Sequence, residues 1–240
     1  MLKIRNNIPN FITLLNLLSG SVAIILAFSG ELTLSGIFIF LAGIFDFGDG
    51  LAARMMKTRS DIGAQLDSLA DVISFGLAPA VIMYHLMLQS NEVPALNPGD
   101  FQLLPFTALV LVAASAWRLA KFNTDPGQET VFKGLPTPAM GLFIAALPLM
   151  LGKPGEEGIY DSLLRNYYVL FSITVFLSWI MVSHIPIMSL KFKKLAWKGN
   201  ESRYILAGCL PLLFIFFRFT AIPMIIFLYI IFSIINPPKK

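Results

Sequence analysis

The sequence predicts an all-α, polytopic membrane helical bundle of about eight crossing helices, with both termini on the cytoplasmic side. Three observations carry that prediction. The chain is 56% hydrophobic and only 13% charged, with a mean hydropathy of +0.74, whereas soluble domains are about 45–50% apolar and about 25% charged. Its apolar runs approach the roughly 20 residues that a helix needs to cross a bilayer. Its basic residues are sorted by side: of 18 Lys and Arg, all but Lys153, Arg165 and Arg218 fall on one face of those runs. Basic loops stay in the cytoplasm, which orients the chain.

The helices are expected over 10–28, 33–53, 66–88, 103–121, 137–152, 163–184, 204–218 and 220–235. The first follows a basic leader, MLKIRNN, as a signal peptide would. Asn10, Thr13 and Asn16 interrupt its apolar run, however, and no small-x-small cleavage site follows, so it reads as a retained helix. The fifth run is short and bracketed by prolines. The last two contain Pro211 and Pro223 and are short enough to form a tight hairpin. An even count keeps Lys239 and Lys240 on the basic side, which favours eight helices, with six as the fallback. The loops agree with this topology. Residues 90–100 contain no Lys or Arg, residues 152–161 are acidic on balance, and KFKKLAWKGNESR (191–203) is basic. That basic loop suits anionic headgroups or simple topological anchoring. The charge of +4 therefore serves the membrane and implies no nucleic-acid partner. Cys209 is the only cysteine, which excludes a disulfide framework and a thiolate metal site. The chain reads as one domain, 1–240, with a core over 1–190 and a C-terminal hairpin at about 204–236.

The unusual stretch runs from Asp46 to Asp71 and holds five of the 14 acidic residues. Asp46 and Asp49 are three apart, Asp67 and Asp71 four apart, so each pair shares one helical face. If the two helices are neighbours, four carboxylates converge near the membrane. Such a cluster is costly unless it is neutralised. Arg54, Lys57 and Arg59 offer a salt-bridge network; two divalent cations offer another solution. Oxygen donors without nearby His or Cys select hard ions, Mg2+ or Mn2+. Magnesium held by few carboxylates usually completes its shell with phosphate oxygens, so a diphosphate is the ligand these charges require. Gly50, Ala52, Ala53, Gly63 and Ala64 lie between or beside the acids, where small side chains favour close helix packing or a ligand lying on the backbone. A cation-coupled transporter is the rival from another class, although no other helix carries an acid near its middle.

Asp46, Asp49, Gly50, Ala53, Arg54, Gly63, Asp67 and Asp71 stand at the spacing of the CDP-alcohol phosphotransferase signature, and the chain resembles that family. The resemblance implies a six-helix membrane core. It also implies that Asp46 and Asp67 bridge two metals, that Asp49 completes one and Asp71 the other, and that Asp71 is the general base. Gly50, Arg54 and Ser60 would hold the CDP moiety, with room provided by Ala53 and Gly63. The family's Pro-Asn-x-x-Thr element is matched by Pro9 to Thr13, which would turn Asn10 and Thr13 toward the diphosphate.

Five further segments, NLLSG (16–20), SFGLAP (74–79), RLAKFN (118–123), FKGLPTP (132–138) and VSHIP (182–186), resemble the bacterial integral-membrane branch that uses serine. They imply CDP-diacylglycerol as donor and L-serine as acceptor. Arg118 and Lys133 are candidate partners for the serine carboxylate or a donor phosphate. Glycerol 3-phosphate or an inositol phosphate is the alternative acceptor. A homodimer in the bacterial inner membrane, with its site facing the cytoplasm, is the expected setting.

Overall fold

A chain that crosses a bilayer must satisfy its backbone polar groups within each crossing segment, and this one does so with helices. The computed structural model describes residues 2–57, 60–91, 93, 102–124, 132–152, 158–188 and 201–235. Among them lie α1 (Leu2–Phe28), α2 (Leu32–Met56), α3 (Asp61–Asp71), α4 (Ala78–Leu88), α5 (Val110–Thr124), α6 (Thr137–Met150), α7 (Ile159–Leu164), α8 (Tyr167–Val182), α9 (Glu201–Phe217) and α10 (Ala221–Ile235). Asn7–Phe28, Leu32–Met56, Asp61–Leu88, Leu104–Thr124 and Pro211–Ile235 are long and apolar enough to cross a membrane, and α6 and α8 are shorter apolar helices. Outward-facing side chains are apolar as well: Ile25, Ile44, Trp117 and Trp179 are 60–66% exposed. In water such a surface would be a liability, and against lipid it is the solvated face. The protein is a polytopic membrane helical bundle.

Helix boundaries depart from the periodicity where a specific residue intervenes. The first helix begins at Leu2 and carries Pro9 inside it. The third begins at Asp61, five residues before the expected 66, because the Ser60 hydroxyl caps it by accepting from the Gly63 amide at 3.0 Å. Only residues 57–60 then separate α2 from α3, with Lys57 in the left-handed region (φ 52°) closing α2. The expected 66–88 helix is not uniform. Between α3 and α4 it widens into a π-helical turn, Val72–Leu77, in which the Ala78 amide bonds back five residues to the Ile73 carbonyl. Pro79 follows and has no N–H for the ordinary four-residue pattern. The expected 163–184 helix begins later, as α8 at Tyr167, because Asn166 caps it by accepting from the Tyr168 amide at 2.9 Å, and the short α7 precedes it. The last two helices contact each other and are separated at Arg218, whose φ is 49°. The loop expectations for residues 94–100 and 191–200 lie outside the described residues.

One short element was not expected: β1 (Phe132–Lys133) pairs antiparallel with β2 (Pro186–Ile187). Elsewhere the packing is helix on helix. Pro9, Thr13, Asn16, Gly20, Ala23 and Ala27 form the buried stripe of α1, at the three-and-four spacing of a helix face. The matching stripe of α2 runs through Leu32, Ser35, Gly36, Ile39 and Ala42 and ends on Asp49. Small residues let the helices close in. A Cβ at Gly20 would lie 2.6 Å from the Ser74 Cα, and one at Gly141 would lie 2.9 Å from the Phe75 Cα. Both contacts seat the π turn tightly between α1 and α6.

Candidate active site

Three helices build the carboxylate cluster. The buried stripe of α2 terminates in acids rather than apolar residues, α3 faces it with Asp67 and Asp71, and α1 runs against both. The carboxylates of Asp46, Asp49 and Asp67 each offer an oxygen, and these oxygens lie within 4.8 Å of one another. Asp49 and Asp71 are buried, each only 6% exposed. The first helix orients both: Thr13 Oγ1 donates to Asp49 Oδ2 at 2.6 Å, and Asn16 Nδ2 donates to Asp71 Oδ1 at 3.4 Å.

At an effective dielectric near 20, two unit charges about 5 Å apart repel by roughly 3 kcal/mol, so three mutual neighbours oppose one another by roughly 10 kcal/mol. That is comparable to the whole stability of an ordinary domain. Among the described residues no Lys or Arg forms an ion pair with the four aspartates. Arg54 instead folds back to donate from Nε to the Gly50 carbonyl at 2.9 Å. Arg59 lies outside the described residues. The donor set is all oxygen and anionic, and it fits hard divalent cations.

The other expected residues take definite places around this cluster. Asn10 is half-buried, and its Oδ1 lies 3.0 Å from where a Cβ at Gly63 would stand. Gly63 therefore keeps α1 and the start of α3 in contact. A Cβ at Gly50 would meet nothing within 4 Å, so the α2 backbone there fronts open space. Ala53 is half-buried, and Arg54 and Ser60 are exposed beside it. Ser60 is engaged as the α3 cap through its oxygen.

Arg118 and Lys133 form a second group. Arg118 on α5 is 8% exposed, and its Nη1 donates to Thr137 Oγ1 at a long 3.4 Å. Its Nε is buried without a hydrogen-bond partner. The Asp71 carboxylate is within electrostatic reach of it. Lys133 on β1 lines a small pocket with Trp117, Arg118, Lys121, Met181 and Ser183. Lys121 in turn meets His184 Nε2 at 3.0 Å.

Sequence reasoning missed Asn16 as a site residue, because a polar residue in an apolar run reads as an interruption. Its helical spacing from Thr13 was the available signal. The Asn123–Ser68 bond, 2.9 Å from Nδ2 to Oγ, ties α5 to α3 beside Asp67 and had no local signal at all.

Comparison with known proteins adds a second line. Residues 6–185 match the family model described as CDP-alcohol phosphatidyltransferase. The chain is similar to a CDP-diacylglycerol–serine O-phosphatidyltransferase of Bacillus subtilis, 32% identical over 201 residues, covering 82% of this chain and 97% of the relative. A protein of the same description from Helicobacter pylori is 32% identical over 232 residues, covering 95% and 90%. An archaetidylserine synthase of Methanothermobacter thermautotrophicus is 32% identical over 182 residues, covering 74% and 68%.

Proposed function

The chain belongs to the CDP-alcohol phosphatidyltransferase family, and from that premise we propose that it transfers the phosphatidyl group of CDP-diacylglycerol to the hydroxyl of L-serine. Phosphatidyl transfer follows from the family; serine and the roles below are our reading. The observation that carries the chemistry is the cluster of Asp46, Asp49, Asp67 and Asp71, which sits beside the open backbone of Gly50 and has no ion pair to Lys or Arg among the described residues. Serine is favoured because all three relatives' names share it, two with a phosphatidyl group and one with an archaetidyl group.

The family is dependent on divalent cations. In this reading Asp46, Asp49, Asp67 and Asp71 would hold two of them, Mg2+ or Mn2+. When bound, such ions neutralise charge on the attacking and leaving oxygens of an in-line displacement. Thr13 fixes Asp49 for that task, and Asn16 fixes Asp71. Asn10, Gly50, Ala53, Arg54, Ser60 and Gly63 surround the space for the CDP moiety. Asp71 accepts the serine hydroxyl proton as the serine oxygen bonds to the phosphorus that bears the diacylglycerol. The bond from that phosphorus to the CMP phosphate oxygen breaks, and CMP leaves with the electron pair. Arg118 and Lys133 face the serine carboxylate. An amphiphilic donor suits the architecture, since its acyl chains remain in the bilayer while CDP and serine arrive from the aqueous side. The cytoplasmic face of a bacterial inner membrane, and a homodimer, are the setting the resemblance implies.

The test is CMP release by purified protein in detergent micelles, with CDP-diacylglycerol and a panel of serine, glycerol 3-phosphate and an inositol phosphate. Release that depends on serine alone is expected. Release with glycerol 3-phosphate and not serine would overturn the acceptor. No release with any alcohol would return the transporter reading, since micelles enclose no compartment.

A further inference from the structure

The family match ends at residue 185, yet the helix beyond it reaches the acceptor side of the site. Tyr229 and Ser233 stand four apart on α10, on its buried face, 7% and 0% exposed. Tyr229 Oη donates to the Met188 carbonyl at 2.7 Å. The Met188 amide donates to Ser233 Oγ at 3.1 Å, and that hydroxyl donates on to the Tyr229 carbonyl at 2.7 Å. One helix thus holds both backbone polar groups of Met188, the residue after β2. Met188 is itself buried, so these bonds are shielded from water.

What β2 holds in turn is the pocket. Pro186 pairs with Lys133 and Ile187 with Phe132. The Gly134 amide donates to the Ile185 carbonyl at 2.9 Å, and the Leu135 amide donates to the Ile180 carbonyl at 3.2 Å. Gly134 adopts φ 75°, and a Cβ there would stand 2.9 Å from the Met181 carbonyl carbon. The backbone after Lys133 is therefore pressed onto the end of α8. A ladder of two residues does not persist alone in water. Its anchorage to α10 supplies what its own length does not.

We propose that Tyr229 and Ser233 are positioning residues for the acceptor. Through Met188 and the β1–β2 ladder they hold Lys133 beside Arg118, so that the pocket lined by both cations is set to receive the carboxylate of the alcohol substrate. The assignment of that carboxylate rests on the reading of serine as acceptor.

Two variants test it, Tyr229→Phe, which keeps the ring and removes the donor, and Ser233→Ala. Each is assayed for the KM of serine and of CDP-diacylglycerol, and for amide hydrogen exchange at Gly134 and Leu135. Loss of one buried hydrogen bond corresponds to about a 5- to 10-fold change, so serine KM is expected to rise by about that factor. The KM of CDP-diacylglycerol should stay within about twofold, and the two amides should exchange faster, because the anchor lost is theirs. An unchanged serine KM, an equal rise in both KM values, or unaltered exchange at both amides would each overturn the proposal. If the wild-type protein uses another alcohol, the serine reading falls by itself. The positioning role is then judged by that alcohol's KM and the same amides.

Discussion

The two sides of the site are built in opposite ways. The carboxylate side uses residues about one helical turn apart within each of three consecutive helices. Asp46 and Asp49 are one turn apart, Asp67 and Asp71 are one turn apart, and α1 supplies Thr13 and Asn16 at similar spacing. The cationic side uses Arg118 from α5, Lys133 from β1, the backbone of β2 and the side chains of α10. Of those elements, the two-residue strands would not take their shape alone. The first construction suits chemistry that must not vary, because helical periodicity alone places the groups. The second suits selectivity, because its geometry can be altered from several distant places without touching the carboxylates.

This contrast can be broken by mutation. The two largest effects should be those of Asp71→Asn and of Asp67→Asn. The latter removes an anionic donor from the 4.8 Å cluster, and the several kcal/mol of charge stabilisation expected of metal ions corresponds to about a thousandfold loss of CMP release. Asp71→Asn should cost about a hundred- to ten-thousandfold in kcat, the usual range for a general base. Retention of near wild-type turnover would remove that role. The sharpest comparison pairs one residue from each side. Thr13→Val loses the 2.6 Å bond to Asp49 and should raise the metal concentration for half-maximal activity by about 10- to 100-fold, leaving serine KM in place. Arg118→Gln should raise serine KM by about 10-fold or more and leave the metal titration in place, as expected for a charged hydrogen bond to the acceptor. If both variants shift the same parameter, the two sides are not separable functions.

How much of this was legible beforehand follows the same division. The apolar helical bundle and the pairing of the four aspartates were readable because a period of 3.6 residues states which side chains share a face. Ser60 was not read as a helix cap, although a Ser three residues before the bonded amide is a common start signal. It was expected to hold CDP, and in the structure its oxygen is engaged with Gly63. The β1–β2 ladder was not readable. Its strands are two residues long and lie more than fifty residues apart, so no local period exists to find. The brief helix α7 was not readable, because most of it precedes the expected start at 163, in a stretch read as an acidic loop. Its start is fixed by Asp161, which accepts from the Gly158 amide at 2.9 Å. That bond, with a second from Gly152, holds the Asp161 carboxyl below the usual carboxylate range.

The wide turn at Val72–Leu77 has a consequence for how chain length varies here. A π turn is an α-helix that has absorbed one extra residue while the helix on either side keeps its direction. A helical wheel drawn straight through from Asp71 to Leu86 is therefore wrong by one position, roughly 100° at 3.6 residues per turn. A relative one residue shorter between 72 and 77 would keep its aspartates and its α4 core in place. It would lose only the widened backbone next to Asp71. A single gap in an alignment at this point would thus report a change beside the proposed base, not a change of fold.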